Sequence, residues 1–324
     1  MSKKVKKVLI TGGAGFIGSH LADKLISEGF SVSVLDDFST GRMENIEHLT
    51  KNPNFSLKIG SVLDKLTLEE MIFDCDFIFH LAAAVGVKYI MDNPLKSLLI
   101  NIQGSENVLE LANHSKIPTF IASTSEVYGK NENIPLKERD DRILGNTYIS
   151  RWGYSCSKAV DEFLSLAYYR EKKLPVIVGR FFNTCGPRQT GSYGMVIPKF
   201  INSALLNQPI TIYGDGTQKR CFTFIDDVVE SLFKLMHCKK AFGEVINIGS
   251  DEVVSINSLA KNIIALTNSS SPIEYIDPKK VFGENFEDMK IRKPDTSKLE
   301  SLISFKPLTP LSVILKKTIE YFET

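Results

Sequence analysis

The 324-residue chain has almost no net charge: 39 lysines and arginines stand against 38 aspartates and glutamates, a formal charge of +1. With no excess of either sign, no global field draws it to nucleic acid or to an anionic membrane, and neither is expected as a partner. Long hydrophobic runs are missing as well. No stretch approaches the roughly 18 apolar residues of a membrane helix, although 43% of the residues are hydrophobic, enough for a sizeable core. Cysteine is sparse: Cys75, Cys156, Cys185, Cys221 and Cys238 are odd in number, scattered, and never in a CxxC pair. That speaks against a disulfide frame and a zinc site and reads as reduced thiols. The five histidines show no ligand spacing, so no metal is expected. Behind the basic start, the apolar run at residues 8–10 is too short for a signal peptide, and the expected location is the cytoplasm. Internal repeats and low-complexity tracts are absent too.

What is present is alternation. Apolar runs at residues 8–10, 31–36, 77–82, 119–123 and 176–182 read as strands, and helical patterns lie between them. One helix carries Ile17, Leu21, Leu25 and Ile26 on one face; a later one carries Ala159, Val160, Phe163, Leu164 and Ala167. Strands alternating with helices predict βαβ units and a parallel sheet covered on both faces. After Asn183, glycine and proline become frequent and the elements shorten, yet residues 244–248 look like one more core strand. The expectation is an α/β, Rossmann-like doubly wound sheet formed by residues 1–183 plus 244–248, with a smaller interwoven substrate-binding domain in residues 184–324.

Directly after the first strand runs Thr11-Gly12-Gly13-Ala14-Gly15-Phe16-Ile17-Gly18. Glycines at 12, 15 and 18 allow a tight turn, close approach of a pyrophosphate, and close packing of the following helix. The phosphates would rest on the helix N-terminus, where free N–H groups and the dipole favour anions. A glycine triplet alone is a weak signal. This one sits between a strand and a helix, and Asp36 follows 18 residues after Gly18 at the end of the second strand. An acid there accepts ribose hydroxyls and repels a 2′-phosphate, which favours NAD over NADP; Arg42 is the nearby residue able to accommodate that phosphate.

Tyr154 and Lys158 are four apart, on one face of a helix read as starting there. A free tyrosine titrates near ~10 and is a poor base at neutral pH. A lysine cation one turn away and a cationic nicotinamide ring would favour the phenolate, so that it can take the proton of a sugar hydroxyl. The strand at 119–123 runs into Thr124-Ser125-Glu126. Ligands bind at such strand ends in parallel sheets. The two hydroxyls can hold a reacting hydroxyl, and Glu126 is a candidate second acid or base. Cys156 and Cys185 are read as packing residues and His80 as structural.

These residues together resemble the extended short-chain dehydrogenase/reductase family, in the nucleotide-sugar branch of 4-epimerases, 4,6-dehydratases and UDP-glucuronate decarboxylases. The motifs at 123–129 (STSEVYG), 151–155 (RWGYS), 182–188 (FNTCGPR), 218–223 (QKRCFT) and 292–294 (RKP) are most similar to the decarboxylases. Departures fall at Ala84-Val85-Gly86-Val87 and at Phe286. The resemblance implies NAD bound by Gly12, Gly15, Phe16, Ile17, Gly18, Asp36, Asp37, Ser39, Thr40, Gly41, Ser61, Val62, Leu81, Ala82, Ala83, Asn101 and Ser123, beside Tyr154 and Lys158. Catalysis would rest on Tyr154, Lys158, Thr124, Ser125, Glu126 and Arg292. Glu126 and Arg292 would flank the sugar carboxylate, unless Arg292 merely pairs with Glu287 or Asp288 at the surface. Asn183 and Arg220 would hold the diphosphate, with Tyr89, Lys199, Thr211 and Tyr213 also on the substrate side. The implied substrate is a nucleotide sugar, UDP favoured, and the implied reaction is decarboxylation of UDP-glucuronate through a 4-keto intermediate. Dehydration, epimerisation and, remotely, a non-catalytic NAD sensor remain alternatives. A homodimer through the helices after Asn93 and after Tyr154 is also implied.

Overall fold

In the segment Lys7–Thr11 (β1), Val8, Leu9 and Ile10 are all enclosed. Consecutive strand side chains point to opposite faces, so a continuous buried run demands cover on both sides. Along Ser31–Asp36 (β2), Val32, Val34, Leu35 and Asp36 are enclosed and Ser31 and Ser33 only half-buried, while Phe55–Ile59 (β3) exposes Ser56, Lys58 and Ile59. Phe77–His80 (β4), Thr119–Thr124 (β5), Val176–Phe181 (β6) and Glu244–Ile248 (β7) are again largely enclosed. The computed structural model describes residues 6–191, 195–282, 287 and 289–323. In it these strands form one parallel sheet in the order β3-β2-β1-β4-β5-β6-β7. The half-exposed β3 is an edge, as its mixed side chains require.

The two faces are covered by different helices. Phe16–Ser27 (α1) buries Leu21 and Leu25 against Val8, Ile10, Val32 and Val34. On the opposite face, Leu9, Leu35, Ile78 and Ile121 meet Leu68 and Ile72 of Lys65–Ile72 (α2). Beyond the short Val87–Asp92 (α3), the long Pro94–Ser115 (α4) adds Val108, Leu109 and Ala112 there, beside Arg151–Lys172 (α5). Full burial of each such leucine contributes about 1.5–3 kcal/mol. The helix bearing Tyr154 thus starts at Arg151, three residues earlier than read from the pattern.

The later part of the chain is built from short pieces. Ile210–Tyr213 pairs with Ile273–Ile276, and Lys219–Cys221 lies between Val253–Ser255 and Ile291–Arg292. The last pairing sets Arg220 and Arg292 at one register position. Between these pieces the chain returns to the large sheet as β7, paired with β6. The strand order reverses between β1 and β4, and ligands of such sheets lie in the crevice outside the carboxyl ends of the strands there.

Candidate active site

The β1–α1 turn lies at that crevice. Gly12 has φ +73°, and a Cβ on it would stand 2.7 Å from the Ala82 nitrogen, so the turn lies flat against the end of β4. A Cβ on Gly18 would run into the Gly12 carbonyl, which explains why α1 packs so closely under the turn. No side chain caps α1, and no acid occupies its first turn. Its first N–H groups are therefore available to an anion.

A cleft of about 220 Å³ opens from this point. Gly12, Gly15, Phe16, Ile17, Gly18, Asp36, Asp37, Ser39, Thr40, Ser61, Val62, Leu81, Ala82, Ala83, Tyr89, Ser123, Tyr154 and Lys158 line it. Asp36 Oδ1 accepts from the Phe38 N–H and Oδ2 from the Ala14 N–H, both at 2.9 Å. Burial pushes its pKa up and those N–H donors pull it back. Each oxygen keeps a lone pair for a ribose hydroxyl. Gly41 packs against this carboxylate rather than on the cleft wall. Asn101 lies behind the wall: it accepts from the Ala84 N–H at 2.8 Å and donates to Ser157 Oγ at 3.1 Å. A bare helix N-terminus, an acid at the end of β2 and a glycine turn against β4 fit a dinucleotide. Arg188, Gln189 and Asn45 also line the cleft and carried no role in the sequence reading.

At the other end of the cleft stand Tyr154 and Lys158. Burial holds the Tyr154 phenol well above the usual tyrosine range; the Glu126 carboxylate adds to this, and the Thr124 hydroxyl pulls it back. Lys158 donates to Asp161 Oδ2 at 2.6 Å, both side chains buried. The Lys158 charge, expected to favour the Tyr154 phenolate, is thus matched by a carboxylate three residues on. Ser123 donates to Glu162 Oε1 at 2.5 Å, and Glu162 is held by Arg180 at 2.9 and 2.7 Å.

Glu126 occupies the one-turn helix Ser125–Tyr128 that follows β5. Arg292 Nη2 donates to its Oε1 at 2.5 Å, and Arg151 Nη2 reaches both oxygens at 3.3 Å. Burial pushes its carboxyl up, but the Arg292 and Arg151 guanidiniums overcome this and set the pKa at about 2. Glu126 is therefore held as a carboxylate, the form of the base that was expected there but a weak proton acceptor. Arg292 Nη1 also lies 3.5 Å from Ser125 Oγ and from Asn183 Oδ1. The surface pairing considered for Arg292 is overturned: it is buried, and Glu287 instead accepts from Trp152 Nε1 at 3.0 Å and pairs with Lys130. Asp288 and Phe286 lie outside the described residues.

On the substrate side the structure gathers Asn183, Arg220 and Arg292. Asn183 donates to the Cys221 carbonyl at 2.8 Å, and Arg220 to the Lys219 carbonyl at 2.9 Å. Lys199 and Tyr213 form their own pair at 2.9 Å, and Thr211 is paired in register with Glu274 on its strand. None of Asn183, Arg220, Lys199, Tyr213 and Thr211 lines the cleft itself. Arg151 is the acid-site residue that sequence reasoning missed. Its signal was its place three residues before Tyr154. His80 is buried between Thr11 Oγ1 (2.8 Å) and Ser105 Oγ (3.2 Å). Among the described residues, no cluster of His, Cys, Asp and Glu is placed to hold a metal ion.

A doubly wound sheet, a glycine turn at its switch point and a Tyr154/Lys158 helix define the extended short-chain dehydrogenase/reductase class of nucleotide-sugar enzymes. The chain belongs to the GDP-mannose 4,6 dehydratase family, whose model matches residues 9–318. It is 43% identical over 319 residues to UDP-N-acetyl-alpha-D-glucosaminuronate decarboxylase of Bacillus cytotoxicus, covering 98% of each chain. It is 38% identical over 320 residues to UDP-glucuronic acid decarboxylase 1 of Xenopus tropicalis, covering 99% of this chain and 73% of that one. The solved UDP-glucuronic acid 4-epimerase of Bacillus cereus, in complex with UDP-glucuronic acid and NAD, superimposes with a TM-score of 0.88 at 30% identity. That match covers 98% of this chain and 99% of the other.

Proposed function

We propose that the protein is an NAD-dependent decarboxylase of a UDP-linked hexuronate, acting through a 4-keto sugar, with UDP-glucuronate as one substrate to test. The single observation that carries this is Glu126 clamped between Arg151 and Arg292. A dehydratase needs a base at C5, and a carboxylate with a pKa of about 2 is a poor one. Decarboxylation needs no such base. It needs cationic groups that orient a sugar carboxylate, and planar guanidiniums do this well.

NAD, held over the α1 N-terminus and at Asp36, supplies reversible two-electron oxidation of C4. Tyr154 takes the C4 hydroxyl proton, with the Thr124 hydroxyl beside it. A ketone at C4 is β to the C6 carboxylate, so the C5–C6 bond pair flows into an enolate as CO2 leaves. Protonated Tyr154 near the enolate oxygen stabilises that charge. Arg292 and Arg151 hold the carboxylate until it departs, and C5 takes a proton through a water oriented by the Glu126 anion, the hydroxide left behind taking up the solvent proton that the net reaction consumes. The relatives named for the 2-acetamido and the plain hexuronate lie at 43% and 38% identity, so the 2-acetamido uronate is to be tested on equal terms beside UDP-glucuronate.

Each UDP-uronate, incubated with protein and NAD and read by mass spectrometry, should lose the mass of CO2. Tyr154→Phe should lower turnover by about 10²-fold or more while NAD stays bound. Unchanged mass with both uronates, or loss of water from another nucleotide sugar, would reject the decarboxylase reading.

The same reading takes residues 1–183 with 244–248 as the dinucleotide unit and 184–324 as the sugar-nucleotide unit. It also takes the enzyme as a homodimer: α4 and α5 pack together and turn Leu95, Leu99, Val160 and Phe163 outward. No helix among the described residues is long and apolar enough to cross a membrane, and the five cysteines are free thiols, which suits the cytoplasm.

A further inference from the structure

Asp161 is a buried acid for which the reaction above has no use. It is fully enclosed, and its Oδ2 takes the 2.6 Å bond from Lys158. Its other oxygen, Oδ1, is buried and has only the Ser105 hydroxyl of α4 to draw on, outside good hydrogen-bond geometry. A buried polar atom left poorly paired is costly, and buried ion pairs are often replaceable by apolar groups at no loss. A pair that served packing alone would be poorly made here. Its position suggests another purpose, because it sits within two turns of Tyr154 on the same helix, α5.

The charged surroundings of the pair are few. Glu126 from the turn after β5 and Arg292 from the strand Ile291–Arg292 act on Tyr154 from outside α5, and Asp161 acts on it from within. The Lys158 charge reaches His80 of β4, which burial keeps neutral. Asp161 itself feels burial first, then Lys158, the Ser105 hydroxyl of α4, and Glu162. Its carboxylate and that of Glu126 both oppose ionisation of the Tyr154 phenol.

We propose that Asp161 is a positioning residue for the Tyr154–Lys158 pair: its carboxylate anchors the Lys158 ammonium in the cleft wall and cancels part of that ammonium's field at the phenol. This rests on the reading of Tyr154 as the proton acceptor. A base that releases its proton too easily is weak, and one that never releases it is idle. Tyr154 must both take the C4 proton and give it back, and a matched lysine leaves it between those limits.

The test compares Asp161→Asn and Asp161→Ser, which remove the charge, with Asp161→Glu, which keeps it. In NAD-loaded protein without sugar, tyrosinate absorbance is titrated with pH, and the Tyr154→Phe spectrum is subtracted. The acid limb of kcat/KM is followed in parallel. Both charge-removing variants should move the tyrosinate midpoint and the kinetic limb down together by about one pH unit, a tenfold change in proton concentration. Asp161→Glu should return both to the wild-type position. An unmoved midpoint in a folded Asn or Ser variant overturns the proposal. So does failure of both to fold while the Glu variant folds, which would make the pair structural. Wild-type and Tyr154→Phe spectra that coincide would instead reject Tyr154 as the base and take this inference with it.

Discussion

Glu126 reads from sequence as a candidate acid or base, and in the structure its carboxylate is matched by two arginines. Glu126 is ionised across the working range and adds no limb of its own, but its carboxylate opposes ionisation of Tyr154, so Glu126→Gln should move the acid limb of the pH profile to lower pH. The substitution removes the counter-charge from a buried cation pair, and leaving one partner of such a pair unmatched typically costs 3–5 kcal/mol. The expected signature is a lower denaturation midpoint and altered affinity for the uronate, together with an acid limb moved to lower pH. Arg151→Ala should raise KM for a UDP-uronate about tenfold or more while leaving UDP affinity nearly unchanged, because a charge-assisted contact is worth about 1.5–3 kcal/mol. Isothermal calorimetry with UDP and with the uronate separates the two. Equal weakening of both ligands would mean that Arg151 has no specific tie to the carboxylate.

At the scale of elements, the turn from β1 to α1 is the most demanding piece of backbone in the site. Gly12→Ala places a side chain in the left-handed region, at about 1–2 kcal/mol, and drives it toward the Ala82 backbone as well. NAD binding should be lost in calorimetry, and the urea midpoint should fall. This turn was readable from sequence because its requirements are local: three glycines, a strand before and a helix after. The first strand was readable for the same kind of reason, since Val8, Leu9 and Ile10 are continuous apolar side chains, and the Glu244–Ile248 edge strand was readable from Val245, Ile246 and Ile248. β3 was not. Its Phe55-Ser56-Leu57-Lys58-Ile59 pattern belongs to a half-solvated edge and offers no apolar run to notice. The clamp on Glu126 was legible only through resemblance, because Arg292 lies 166 residues away. Asp161 was invisible, as nothing in a YxxxK spacing says which acid the lysine will meet.

For the molecule as a whole, His80 makes stability depend on pH. Burial, with the Lys158 charge second, lowers its pKa from 6.5 to about 3. The unfolded chain therefore binds that proton first as pH falls. The stability tied to neutral His80 is complete above about 6.5 and is lost progressively toward about 3. Urea midpoints should drop between about pH 7 and pH 5, and His80→Asn should flatten that drop. A variant with the wild-type slope would assign the acid sensitivity to other groups.

The return of the chain to the large sheet as β7 has an evolutionary and practical side. A polypeptide stopped near residue 183 would present β6 as a naked margin, with Val176, Ile177 and Val178 stripped of their neighbour on that side. Such a margin invites other chains to pair with it. The later half, proposed above as the sugar-nucleotide unit, therefore cannot be exchanged as a cassette by joining fragments end to end. New specificities on this scaffold have to arise by rewriting side chains and loops in place, with the last sheet strand kept as the stitch that closes the garment.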